Sequence, residues 1–296
     1  MLHLCHRPGP PLSEFVDSVW LFAGGQAPRK ERIFPSGTSE LVINLCDNEV
    51  RLPDPAQPDR YERFSGAVLS GTYSTPFLCD AMQHESMLGV HFKPGGAFPF
   101  LGALASELTD AHANLEDLWG RSAIELRERL CIAATPRERF QIMEEILANR
   151  LRRAAKRHLA VPLALDLFGP AGTGAAVRDV AREVGLCQRR FIEVFTAQVG
   201  LRPKLLCRLL RFQRARTLAE RAETVDWAGL AATSGYFDQS HLINDFQEFS
   251  GLSPTEFSRQ HPRDGRVKSN HLPLPGSIFS NTKAASEPHN EDRNAR

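Results

Sequence analysis

The feature that most narrows what this chain can fold into is an internal repeat. Residues 177–206, VRDVAREVGLCQRRFIEVFTAQVGLRPKLL, align with residues 227–257, WAGLAATSGYFDQSHLINDFQEFSGLSPTEF. Val180, Ala181 and Gly185 match Leu230, Ala231 and Gly235 at a spacing of fifty. Phe191, Phe195, Gly200 and Pro203 match Leu242, Phe246, Gly251 and Pro254 at fifty-one, so one residue is inserted in the second turn. Each copy reads as a short helix with an alanine for close packing, a glycine that permits a sharp turn, and a second helix. That second helix is apolar at i and i+4 and polar on its opposite face. This is a helix-turn-helix arrangement, in which the second helix is free to read base edges in the DNA major groove.

Any packed helical hairpin has similar spacing, so one copy alone would say little. Two copies in register, joined by RPKLLCRLLRFQRARTLAE (202–220), which reads as a basic linker helix, are far more specific. Charge supports the same reading. The net charge of +1 hides 15 basic against 5 acidic residues in 151–221, where residues 1–150 carry 14 against 20. Positive charge is thus concentrated where a polyanion would bind. Residues 222–262, which include the second copy, carry 1 basic against 6 acidic residues.

The 296 residues suit two domains. In the first half, ELVINL (40–45), AVLSG (67–71) and MLGVHF (87–92) are short, aliphatic or β-branched, and bounded by turn residues, as strands are. KPGGAF ends a strand and can start a short helix. From about Leu115 the pattern turns helical, through 115–130 and then 136–158, with Pro136 suited to a first helical turn. FGPAGTGAA (168–176) reads as a turn; it lacks the Lys-Ser/Thr of a phosphate loop. Residues 263–296 are polar and aperiodic, the composition of a disordered tail. The expected division is therefore 1–157, 158–262 and a tail at 263–296.

The six cysteines are scattered without CxxC spacing, which argues against a zinc site or a disulfide framework. His84, Glu85 and His91 do not fix a ligand geometry, and no metal or cofactor is expected. No apolar run approaches the length of a membrane span, and the N-terminus lacks the apolar stretch of a signal peptide, so a soluble, cytoplasmic protein is expected.

Two units across one linker helix, RLLRFQRA within that helix and SGYFDQSHLINDFQEFSGLSP in the second unit make residues 160–260 resemble the AraC/XylS family of bacterial transcription regulators. The resemblance implies an all-α DNA-binding domain spanning two successive major-groove segments of double-stranded DNA, with the linker helix setting their separation. In the first unit the polar face holds Gln188, Arg189, Ile192, Glu193 and Thr196. By family position, Arg189, Ile192 and Glu193 would face bases, matching guanine, a thymine methyl and cytosine respectively. Arg178, Arg182, Arg190, Lys204, Arg208 and Arg211 are candidate phosphate contacts, which fix register. In the second unit Gln239, Ser240, His241 and Asn244 face outward; family members often carry a basic residue at the position of Asn244, and Asp245 and Glu248 add negative charge. The first unit is therefore expected to supply most of the affinity, and the second to refine specificity.

FPSGTSELVINL, LSGTYSTPF, GVHFKPGGAFPFLG and LEDLWG resemble, more loosely, a sensor-like domain of unknown function that precedes this module in many family members. It implies an α+β domain, a small β-rich barrel or sandwich with helices behind it, but no particular ligand. A small-molecule effector, an RNA polymerase contact and a homodimer formed through the first half, with the 136–158 helix as a candidate surface, are implied at the same level. Two alternatives stand beside this reading. One is an enzymatic first half such as a repair methyltransferase, for which Cys5, Cys46 or Cys79 would have to accept a methyl group. The other is a first half that only binds another protein.

Overall fold

The computed structural model describes residues 2–24, 30–80, 86–154, 156–222, 224–260 and 271–273. The first half contains strands β1 (Leu2–His6), β2 (Val16–Ala23), β3 (Lys30–Ile33), β4 (Glu40–Asn44), β5 (Glu49–Pro53), β6 (Tyr61–Ser65), β7 (Ala67–Ser70), β8 (Phe77–Asp80) and β9 (Ser86–Phe92). Helix α1 (Phe98–Leu101), a 3-10 turn at Ala105–Leu108, β10 (His112–Asn114), α2 (Leu115–Trp119), α3 (Arg121–Ile132) and α4 (Pro136–Leu151) follow. The second half is helical: α5 (Ala160–Phe168), α6 (Val177–Glu183), α7 (Gln188–Val199), α8 (Pro203–Arg221), α9 (Trp227–Thr233), α10 (Gln239–Ser250) and α11 (Pro254–Gln260). The described part of the chain ends with strand β11 (His271–Pro273). This is the expected α+β domain followed by an all-α one. No helix among the described residues is long and apolar enough to cross a membrane.

The main sheet runs β1-β2-β9-β4-β7-β10 with antiparallel pairing. Side chains alternate across a strand, and this sheet buries both faces. Val19, Leu21, Leu41, Ile43 and Val90 pack toward the helices, against Leu126, Leu130, Met143 and Leu147. Trp20, Phe22, Val42 and Met87 occupy the other face, toward the smaller β3-β8 and β5-β6 sheets. Gly89 stands opposite Trp20, and a Cβ there would lie 2.2 Å from the indole ring, so the close approach requires glycine.

Three expectations change. The helical stretch from Leu115 breaks at Gly120, whose φ of 59° and ψ of −144° stop α2 and start α3. Helix α4 begins as expected, with Pro136 in its first turn and a Thr135/Glu138 capping box, but ends at Leu151 instead of 158. After Leu151, which still packs against this core, the sequence from Arg152 to Lys156 offers no large apolar side chain to continue the face. Within the tail expected to be disordered, His271–Pro273 pair with Ile33–Glu31 of β3; the rest of the tail lies outside the described residues.

In the second half the two repeated units bury one continuous core, in which Phe168, Phe191 and Phe195 meet at ring distances of 5.6–6.4 Å. Phe212 of α8 meets Phe246 and Phe249 at 5.1 and 5.5 Å. The 19 residues of α8 span about 28 Å at 1.5 Å per residue, which fixes the separation of the units.

Candidate nucleic-acid interface

The turn geometry repeats atom for atom. Leu186 N donates to Ala181 O at 3.0 Å, as Tyr236 N does to Ala231 O; Gly185 N donates to Arg182 O at 3.1 Å, as Gly235 N does to Ala232 O. Gly185 and Gly235 hold φ of 72° and 82°, a conformation open chiefly to glycine. Ala181 and Ala231 are buried between the helices. The inserted residue lies in the second turn, which spans 234–238 where the first spans 184–187.

On α7, Gln188, Arg189, Arg190 and Glu193 are exposed. Ile192 and Thr196 turn partly inward; Ile192 packs against the core, and the Thr196 hydroxyl is buried. Arg189 Nε donates to Glu193 Oε1 at 3.1 Å and Arg190 lies 3.5 Å from the same carboxylate, so the hydrogen bond from Arg189 holds the Glu193 carboxyl below its ordinary range. Such exposed pairs are worth little and can be exchanged for contacts to DNA. No side chain caps the first turn of α7, so its first backbone N–H groups have no side-chain acceptor. Arg178 and Arg182 are exposed around Asp179, and Lys204 is exposed on α8.

The second unit differs. Gln239, Ser240, His241 and Asn244 are exposed on α10 as expected, but Asp238 caps the helix, accepting from His241 N at 2.9 Å. That backbone hydrogen bond lowers the Asp238 carboxyl. Arg208, expected at a phosphate, instead reaches across to α10. Its Nη2 donates to Asp245 Oδ1 at 2.7 Å and to Glu248 Oε2 at 2.6 Å, with the guanidinium 5.1 Å from the centre of the Phe249 ring. These bonds, Glu248 foremost, raise the Arg208 pKa, so the two acids noted in the sequence are neutralised from the linker helix. Arg211 is half-buried, with its guanidinium 5.5 Å from the centre of the Tyr236 ring. Phe237, 93% exposed in the longer second turn, and Ile243, 38% exposed on α10, join this face; the i, i+4 pattern alone did not single them out.

His84 and Glu85 lie outside the described residues, and His91 Nδ1 sits 3.3 Å from Glu40 Oε1, which also accepts from Trp20 Nε1 at 2.8 Å.

The first domain holds both α7 and α10 by their C-terminal ends, where backbone carbonyls lack helical partners. Thr72 Oγ1 donates to Val199 O at 2.9 Å and Thr109 Oγ1 to Gly200 O at 2.6 Å, both at the end of α7. Arg32 Nη1 donates to Ser250 O at 3.0 Å, at the end of α10. Phe34, just after β3, is buried in the core of the second domain, against Phe212 and Phe257 at 6.3 and 5.9 Å, and Gln213 Nε2 donates to Pro35 O. Gln188 and Arg189 at the other end of α7, and Gln239, Ser240 and His241 at the other end of α10, stay exposed.

Residues 5–114 match the model of a domain of unknown function (DUF6597), and residues 180–260 match that of a helix-turn-helix domain. No curated protein matches the chain. Similar solved structures include a transcriptional regulator with an AraC-type DNA-binding domain from Chromobacterium violaceum, 20% identical over 36% of this chain and 95% of that one, with a TM-score of 0.32. The C-terminal domain of AraT, a response regulator from Geobacillus stearothermophilus, is 16% identical over 38% and 95%, at 0.34. ToxT from Vibrio cholerae is 12% identical over 81% and 96%, at 0.40.

Proposed function

We propose that this chain, whose residues 180–260 form an AraC-type helix-turn-helix domain behind a domain of unknown function, is a sequence-specific transcriptional regulator controlled through its first domain. Its two recognition helices enter successive major grooves on one face of double-stranded DNA. The first unit supplies most of the affinity: its helix start has no side-chain cap and carries the exposed Arg189 and Arg190, where the second carries the carboxylate of Asp238. The second unit refines specificity through Gln239 and Asn244.

The observation that carries the control is the grip on both helix ends by Thr72, Thr109 and Arg32. A small molecule or a partner that favours one arrangement of these contacts changes DNA affinity by that difference in binding free energy. RNA polymerase and a second copy of the chain are the further partners of this reading.

The test is a titration of the full chain against genomic fragments it selects, at two salt concentrations. Each neutralised phosphate releases counterion, so affinity is expected to fall steeply with salt. A flat salt response would contradict the reading.

A further inference from the structure

The cavity inside the β-strands, between Trp20, Val42, Val50 and Met87, is only about 70 Å³, well below the roughly 300 Å³ at which small-molecule pockets begin. A groove of about 960 Å³ opens instead outside the main sheet, between α1, the 3-10 turn at Ala105–Leu108 and α4. Its walls are mainly apolar, from Phe98, Pro99, Leu104 and Ile146, and Leu104 is 45% exposed. Arg150 and Arg153 line the same groove, and neither has a carboxylate partner among the described residues. Arg150 lies with its guanidinium 4.1 Å from the centre of the Trp119 ring and donates from Nη1 to Ser122 Oγ at 3.2 Å, which leaves most of its five donors unused. Glu107 is the one acid on the lining.

We propose that this groove binds a small amphipathic anion, with its carboxylate on Arg150 and Arg153 and its apolar body along Phe98, Leu104 and Ile146. A guanidinium fixed by stacking and without a carboxylate partner among the described residues matches a carboxylate with two parallel N–H···O bonds, and the apolar walls account for the rest of the ligand. The site also reaches the DNA-binding domain. The turn that carries Leu104 and Glu107 packs on α7, and Thr109, which follows it, donates to Gly200 O. Occupancy therefore bears on the C-terminal end of the first recognition helix. This regulatory consequence rests on the function proposed above; the binding itself does not.

Calorimetric titration of the full chain, without DNA, separates the two. The probes are decanoate and phenylbutyrate, with decanol as the uncharged control. The expected result is saturable binding of at least one carboxylate, weakened roughly tenfold or more in Arg150→Gln and less in Arg153→Gln, with decanol binding weakly to all three. Leu104→Asp, at the exposed rim, is expected to abolish binding and serves as a second variant if Arg150→Gln fails to fold. Binding of neither carboxylate, or equal binding by wild type and these variants, would overturn the proposal. So would a groove that instead closes a dimer, seen as dissociation of a dimer by Leu104→Asp in sedimentation with carboxylate binding unchanged. If the carboxylate binds as expected but leaves DNA affinity unaltered, the site stands and the proposed control through it fails.

Discussion

The guanidinium of Arg32 donates to the carbonyl oxygen of Ser250 across 218 residues of sequence, at 3.0 Å. Partial burial lowers the pKa of Arg32, and its positive charge sits at the negative end of the α10 dipole. Two residues further on, Phe34 is inserted among Phe212, Phe257 and the aliphatic core of the second domain. The two domains thus share a core, and β11, from beyond the DNA-binding domain, pairs with the same β3.

Phe34→Ala is expected to remove about 3 kcal/mol or more of stability, because a fully buried ring leaves a cavity between domains that cannot both close on it. Denaturant unfolding should show two separated transitions in the variant where the native chain shows greater cooperativity.

Arg208→Ala leaves Asp245, whose side chain is only 7% exposed, without its cation. Breaking such a pair costs about 3 kcal/mol, while the exposed contact to Glu248 adds little. The second unit should lose its orientation on α8, so footprinting of the variant is expected to keep protection by the first unit and weaken protection by the second.

Among the residues proposed to face DNA, Arg189→Ala is expected to cost about 1–3 kcal/mol of specific binding and to relax discrimination at one base pair. Asn244→Ala should cost less and act mainly on specificity. Arg178→Ala should weaken binding to all sequences and reduce the salt slope by about one. Comparable losses for Arg189→Ala and Asn244→Ala in a titration on one operator would contradict the unequal roles of the units.

His112 is packed among Phe64, Tyr73 and Phe77, and Ser70 Oγ lies 2.9 Å from its Nδ1. Burial lowers its pKa from 6.5 to about 4. The unfolded chain therefore takes up this proton at a higher pH than the native one, and stability falls as the pH drops from about 6.5 toward 4. The loss approaches 3 kcal/mol. His112→Phe should flatten that part of the stability profile in urea titrations at stepped pH.

Much of the second domain was legible because its signals are local: Gly185 and Gly235, the buried alanines, and phenylalanines at i and i+4 each report a constraint met within one hairpin. The first domain was less so. Strands at 40–45, 67–71 and 87–92 stand out by their aliphatic runs, whereas β5, with Arg51 exposed between Val50 and Leu52, and β6, with three polar residues of five, carry little apolar pattern. Contacts between domains left no local trace. Phe34 reads in sequence as a strand-end aromatic before Pro-Ser-Gly, and Arg208 as one more basic residue of a basic helix. Their roles come from partners 178 and 37 positions away, beyond any periodicity.

The most direct test of DNA reading by both units is footprinting of the full chain on its best selected operator. Two protected major-groove segments are expected on one face of the duplex, with centres about one helical turn apart, one for each unit flanking α8. A single protected segment would contradict this, since the second recognition helix would then take no part in reading DNA.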